Sequence, residues 1–297
     1  MNVEYEKLTY TNELGNSIEF STSSAFYCNV SKDATGLAGV DNTIYSTNSA
    51  QQHGDTFTGQ RIEAREISIK GAINVRDKAQ AIELRRKALR ILNPELKGTL
   101  KYEYSGFTKI IDVRIDDRPD FYRKTVLLQY EIAFKALNPF WRDETERKEE
   151  IASWMGAWEF PTEIDEDDAE SMIFGYREES VIVDCYNAGD VSTGMRIKFT
   201  ALGILTTPIL LNVETGDFIQ INTTMQAGDI ITVNTEYGNK GAILERNGET
   251  IDCFKDIDVD STFMELGIGD NIYRYDAESG IDNLEVSIYY TPQYLGV

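Results

Sequence analysis

Apolar and polar positions alternate along most of this chain with a period of two, as strands buried on one face require, and the places where the alternation fails divide it into parts. Residues 3–20 read as a strand, a turn at Glu13-Leu14-Gly15-Asn16 and a second strand through Ile18 and Phe20. Residues 31–60 lose the period and are rich in Gly, Ser, Thr, Asn and Asp, which predicts a long loop or a flexible arm. Ile62, Ala64, Ile67, Ile69 and Ile73 then predict a half-buried strand over 61–73. Spacing changes to three and four over 76–92, where Ala79, Ile82, Arg86, Leu89 and Leu92 predict a helix. Asn74 is its expected cap, Asp77 favours its first turn and Pro94 ends it. Strands are expected again at 99–104, 107–115 and 125–136, so residues 1–142 read as a β-domain with a single helix.

Residues 143–180 differ in composition: a charged run to Glu150, an aromatic stretch from Trp154 to Pro161, then six acids in the eight residues 163–170. They read as a connector whose tryptophans dock it on a neighbouring domain. From 181 to 297 short strands recur at 181–186, 194–201, 208–213, 217–221, 229–235, 241–246, 261–266, 270–275 and 284–291. Turns such as Gly228-Asp229 and Asn247-Gly248 separate them, the pattern of an antiparallel β-sandwich or jelly roll. The fold class is mainly β, with two domains and one helix.

Chemistry is sparse. With 29 Lys and Arg against 50 Asp and Glu the chain carries −21, which repels a phosphate backbone and argues against reading nucleic acid. No apolar run approaches the roughly 20 residues that span a bilayer, and the opening residues lack a secretory pattern, so synthesis in the cytoplasm without membrane attachment is expected. Cys28, Cys185 and Cys253 are odd in number and contain no CxxC pair, against a disulfide framework or a thiolate zinc site. His53 is the only histidine and sits in a Gly/Gln-rich loop within residues 31–60, so His-based triads and multi-His metal sites are either impossible or dependent on this single residue. Asp256, Asp258 and Asp260 have the spacing that opens an EF-hand calcium loop, yet Ser261 stands at the glycine position and Gly267 at the glutamate position. These aspartates are a weak metal candidate; the plainer reading is a solvated face with Ile257 and Val259 turned inward. No GxSxG, HExxH, P-loop or dinucleotide fingerprint is present, and neither enzymatic activity nor a cofactor is expected. Tyr237, Phe254, Phe263, Tyr273, Tyr275, Tyr289, Tyr290 and Tyr294 leave a second reading open, a carbohydrate-binding module that attaches to cell-surface glycans by stacking on a sandwich face.

Several strings occur in an order that resembles a known family. They are the opening stretch from Leu8 through Gly15 to Phe20, and Glu66-Ile67-Ser68-Ile69-Lys70-Gly71-Ala72-Ile73 followed by the helix and Leu92-Asn93-Pro94. Asn138-Pro139-Phe140-Trp141 follows, then Asn187-Ala188-Gly189-Asp190, Glu214-Thr215-Gly216-Asp217 and the stretch containing Tyr290, Pro292 and Tyr294. Together they resemble the siphovirus distal tail proteins of phages and prophages of Gram-positive bacteria. The resemblance implies a barrel-like or split-barrel N-terminal domain, a galectin-like C-terminal sandwich, and a homo-hexameric ring at the virion tail tip, made in the host cytoplasm. It implies as partners the tail tube or tape-measure-proximal proteins above, and the tail-associated hub or lysin and receptor-binding proteins below, with DNA only passing through the channel. The same ring in a contractile tail or a phage-derived particle is the nearest variant. Asn138, Pro139, Phe140, Trp141, Tyr290, Pro292 and Tyr294 are the expected structural motif residues.

Overall fold

The computed structural model describes residues 5–51, 53–75, 77–124, 127–150, 154–156, 175–177 and 182–297. The chain forms two compact units, Met1–Glu144 with Gln293–Val297 and Thr145–Pro292.

The first unit begins with the expected hairpin, β1 (Lys7–Asn12) and β2 (Ser17–Ser21), in which Leu8 faces Phe20 and Tyr10 faces Ile18. Asn12 closes it: its Oδ1 accepts from the backbone N–H of Leu14 and Asn16, while its Nδ2 donates to the Ile91 carbonyl. A buried amide thereby satisfies a turn and one orphan carbonyl at a helix end. After β3 (Phe26–Tyr27), the single turn α1 (Val30–Asp33) and β4 (Ala34–Thr35) come β5 (Asn42–Thr47) and β6 (Thr56–Ile62). The 31–60 segment, expected as a loop or arm, is therefore largely a hairpin. Its strands escaped notice because neither face is buried, so selection for alternation is missing.

β7 (Arg65–Ile73) leads to α2 (Lys78–Ile91), and β8 (Gly98–Tyr104), β9 (Phe107–Ile115), β10 (Asp120–Lys124), β11 (Leu127–Ala136) and β12 (Trp141–Arg142) complete the unit's first run. The order β11-β7-β3-β2-β1-β8-β9 closes on itself where Phe134 of β11 meets Ile115 of β9, giving a seven-stranded barrel. Tyr10, Phe20, Ile69, Tyr130, Phe134 and Trp141 fill it.

The helix corrects two expectations. Asp77, not Asn74, caps it, accepting from the Ala79 N–H at 3.1 Å. Its inward side is Ala81, Leu84, Ala88 and Ile91, whereas Ile82 and Leu89 are 57% and 41% exposed. A stripe picked by its largest apolar residues overlooks alanines, which let a helix approach a sheet closely.

In the second unit, β13 (Arg147–Glu150) pairs with β25 (Leu284–Tyr290), so the start of the expected connector is a strand of the sandwich. Of the rest of the connector only 154–156 and 175–177 are described, as a two-stranded ladder β14–β15; its acidic run at 163–170 lies outside the described residues. The other strands are β16 (Ile182–Asp184), β17 (Met195–Ala201), β18 (Leu205–Asn212), β19 (Phe218–Gln220), β20 (Thr224–Met225), β21 (Ile230–Asn234), β22 (Gly241–Arg246), β23 (Glu249–Asp252) and β24 (Ile272–Ser279). One sheet runs β13-β25-β17-β21-β22-β23 and the other β16-β24-β18-β19, with β20 also on β18. Both line one core that includes Ile197, Phe199, Leu210, Ile231, Tyr273 and Val286. Residues 261–266 form no ladder, only a bridge from Leu266 to Thr193, and β23 was not anticipated.

The chain then returns to the first unit: β26 (Gln293–Tyr294) pairs with β12, Trp141 opposite Tyr294. The expected second domain, 181–297, thus ends five residues early, because the strand edge that completes β12 lies in the barrel unit.

Candidate assembly site

Arg65 opens β7 and is 3% exposed. Its Nε donates to the Pro139 carbonyl at 2.7 Å. Its Nη1 is shared among the carbonyls of Gly36 (2.7 Å), Leu37 (3.2 Å) and Gly39 (2.9 Å), and its Nη2 donates to that of Leu295. A planar fork suits several convergent acceptors as an ammonium does not. Burial pulls the guanidinium below its usual basicity, and the Asp41 carboxylate opposes that. One side chain thereby ties the loop at 36–39, the turn before β12 and the segment after β26.

Other contacts tighten the same junction. Trp141 Nε1 and the Val297 N–H both donate to the Leu37 carbonyl at 3.1 Å. Gly36 lies at φ +81°, and an added Cβ would stand 1.9 Å from the Glu66 oxygen; at Gly296 it would stand 1.7 Å from the Ala38 oxygen. Nearby, the nearly buried Lys109 pairs with Asp143 and lies 3.4 Å from the centre of the Tyr294 ring, whose hydroxyl donates to Asp143 Oδ2.

The hairpin arm grows from this junction. Residues 36–39 precede β5, Arg65 follows β6 by three residues, and the Glu63 N–H donates to the Asp41 carbonyl at 2.9 Å. Both roots are anchored while the strands stand clear: Ile44, Tyr45 and Phe57 are 62%, 50% and 60% exposed. His53 sits exposed between the two strands.

Of the residues expected from sequence, Pro139, Trp141 and Tyr294 converge here, and Asn138 holds the turn by accepting from the Phe140 N–H at 3.2 Å. Phe140 is half-buried. Tyr290 lies elsewhere, in the second unit, donating to the Tyr186 carbonyl, and the buried Pro292 is that unit's last residue. Arg65, Lys109 and Asp143 were missed. Arg65 was discoverable: it shares the period-two face of Ile67 and Ile69, which are buried. Lys109 was discoverable in the same way, since it shares the period-two face of Ile111, Val113 and Ile115, which are buried.

Asp256, Asp258 and Asp260 do not converge, and among the described residues no group of three or more His, Cys, Asp or Glu is placed to hold a metal ion. Asp258 serves its turn: it accepts from Asn222 Nδ2 at 2.9 Å and from the Asp260 N–H at 3.0 Å, which hold its carboxyl below the usual range. Val259, expected inward, is 95% exposed. Of the aromatic residues considered for sugar stacking, Tyr273, Tyr275 and Tyr290 are core residues, and Phe254 stacks on Phe263 with centroids 5.9 Å apart. The three thiols are buried; burial pushes Cys28 and Cys185 up to about 12 and Cys253 up to about 11. Among the described residues no helix is long and apolar enough to cross a membrane.

Comparison with known proteins places these features. Residues 22–157 match the model of the phage tail protein RIFT-related domain, and residues 188–294 that of the siphovirus-type tail component, C-terminal domain. The crystal structure of the SPP1 Dit (gp 19.1) protein, described as a paradigm of the hub adsorption apparatus in phages infecting Gram-positive bacteria, is similar in fold. The TM-score is 0.66 at 13% identity, covering 97% of this chain and 99% of that one. A chain of the phage P2 baseplate in its activated conformation with calcium is similar with a TM-score of 0.52 at 14% identity, covering 98% of each chain. No curated protein matches by sequence. With both of its units matched, the chain belongs to the siphovirus distal tail protein family.

Proposed function

We propose that this chain acts as a structural ring subunit of the tail tip: homo-hexameric, joining the tail tube above to the tail-associated hub and receptor-binding proteins below, and without enzymatic activity. The observation that carries the reading is the exposed arm on its anchored base. An isolated two-stranded hairpin is marginal in water, and this one leaves Ile44, Tyr45 and Phe57 uncovered. Laying it on the next subunit would stabilise it by about 1.5–3 kcal/mol for each large side chain fully covered. A heterologous contact of this kind, arm on one side and receiving surface on the other, forms a ring when the rotation between successive copies closes. The net charge of −21 suits a channel along which DNA slides without adhering.

The test replaces residues 42–62 with a short Gly-Ser link and compares native mass spectra and thermal unfolding with those of the intact chain. The expected result is a cyclic oligomer for the intact chain and a monomer of nearly unchanged melting temperature for the variant, since few arm residues contribute to the core. An armless chain that still forms the same ring would overturn the role given to the arm.

A further inference from the structure

The charge of this molecule is unevenly distributed. The 14 residues of α2 hold five cations, Lys78, Arg85, Arg86, Lys87 and Arg90, against one acid, Glu83. The rest of the chain has 24 cations and 49 acids, a balance of −25. Arg85 leans toward the barrel, its guanidinium 5.8 Å from the centre of the Phe121 ring. Among the described residues, no ion pair reaches Lys78, Arg86, Lys87 or Arg90. The outward face also carries apolar surface. Ile82, Arg86, Leu89 and Arg90 follow the spacing that aligns side chains on one side of a helix, and all four are exposed. A groove of about 770 Å³ borders Arg86 and Arg90 on one side of this face, lined as well by Lys87, Leu84, Ile91 and the single acid Glu83.

We propose that this outward face of α2 is a docking surface for an acidic face of a second copy of the same chain. The inference rests on the ring reading above and assigns one of the surfaces that would meet in it. Charge complementarity selects the occupant: a strongly acidic chain with one concentrated basic, partly apolar face presents to its own copies both halves of an attractive pair. A solvated basic helix would not need Ile82 and Leu89 outside. A nucleic acid would meet the same cations under the repulsion of the remaining −25, and would leave the two apolar side chains unused.

Sedimentation velocity on the full chain tests it, with the wild type, Arg86→Glu/Arg90→Glu and Arg86→Lys/Arg90→Lys. All three are first checked by circular dichroism for an unchanged monomer fold. The wild-type oligomer is expected to loosen as NaCl rises from about 0.05 to about 0.5 M, because screening shortens the reach of the charges. The Glu pair is expected to raise the dissociation constant by about tenfold or more, and the Lys pair to restore it substantially. Oligomers of equal strength in the wild type and the Glu pair overturn the docking surface while leaving the ring itself standing. A wild type that is monomeric throughout overturns both. Binding of a short DNA duplex by the wild type, lost in the Glu pair whose oligomer is unaffected, would overturn the proposal and assign the face to nucleic acid.

Discussion

Arg65 directs its guanidinium at five backbone carbonyls and no carboxylate, so its worth lies in geometry as much as in charge. Replacing it with Met removes a donor from the buried Pro139 carbonyl and from the part-buried carbonyls around it, and is expected to cost about 2–3 kcal/mol, read from urea unfolding. Arg65→Lys should recover less than half, because an ammonium cannot reach three segments at once. In the second unit Asp229, 3% exposed, is bound by the Arg246 guanidinium and by the Gln226 N–H, and the Arg246 hydrogen bond is the main cause of its lowered pKa. A lowered carboxyl pKa contributes stability above about pH 3.8, the unfolded value, and loses it as pH falls through the folded one. Asp229→Asn should therefore lower stability at neutral pH and flatten the acid limb of the profile. The thiols act at the other end: raised above the unfolded value of 9.0, they contribute stability that declines as pH climbs from about 9 toward 11–12. At neutral pH a thiol reagent should leave Cys28, Cys185 and Cys253 untouched in the folded chain and titrate all three in denaturant.

At the scale of elements, α2 separates what pattern can and cannot reveal. Asp77→Ala should cost about 1 kcal/mol in thermal or urea unfolding, whereas Asn74→Ala should cost far less, because only Asp77 accepts a bond from the first turn. The helix was legible from its three-and-four spacing, but its inward face was not, since Ala81 and Ala88 carry little weight on any apolar scale. Strands with one buried face, such as β1, β8 and β17, were legible because burial forces alternation. β5, β6 and β23 are largely exposed and lack that constraint. Of the assembly site, Trp141 and Tyr294 were accessible through resemblance to the family. Their meeting across β12 and β26 was not, because register between distant segments leaves no local mark.

At the scale of the whole molecule, two salt responses should run in opposite directions. Self-repulsion at −21 weakens the compact chain, so added salt should raise the melting temperature of the monomer by screening like charges. The same salt should weaken any assembly held by the basic face of α2 against an acidic neighbour. Calorimetry on an armless, monomeric chain, set beside sedimentation of the intact one, separates the two. A monomer that loses stability as salt rises would contradict the self-repulsion account.

The return of β26 to β12 also sets a clock on biosynthesis. Residues 145–292 must leave the ribosome before Leu295 can reach Arg65, a partner 230 positions earlier. At synthesis rates of about 5–20 residues per second this interval is on the order of 10 s. Through it a nascent barrel waits with one edge unpaired and one guanidinium short of an acceptor. The last two bonds at the roots of the arm, from Arg65 to Leu295 and from Val297 to Leu37, therefore form only on chains whose second unit has already been made, so a chain broken off midway keeps a junction held by its earlier contacts alone.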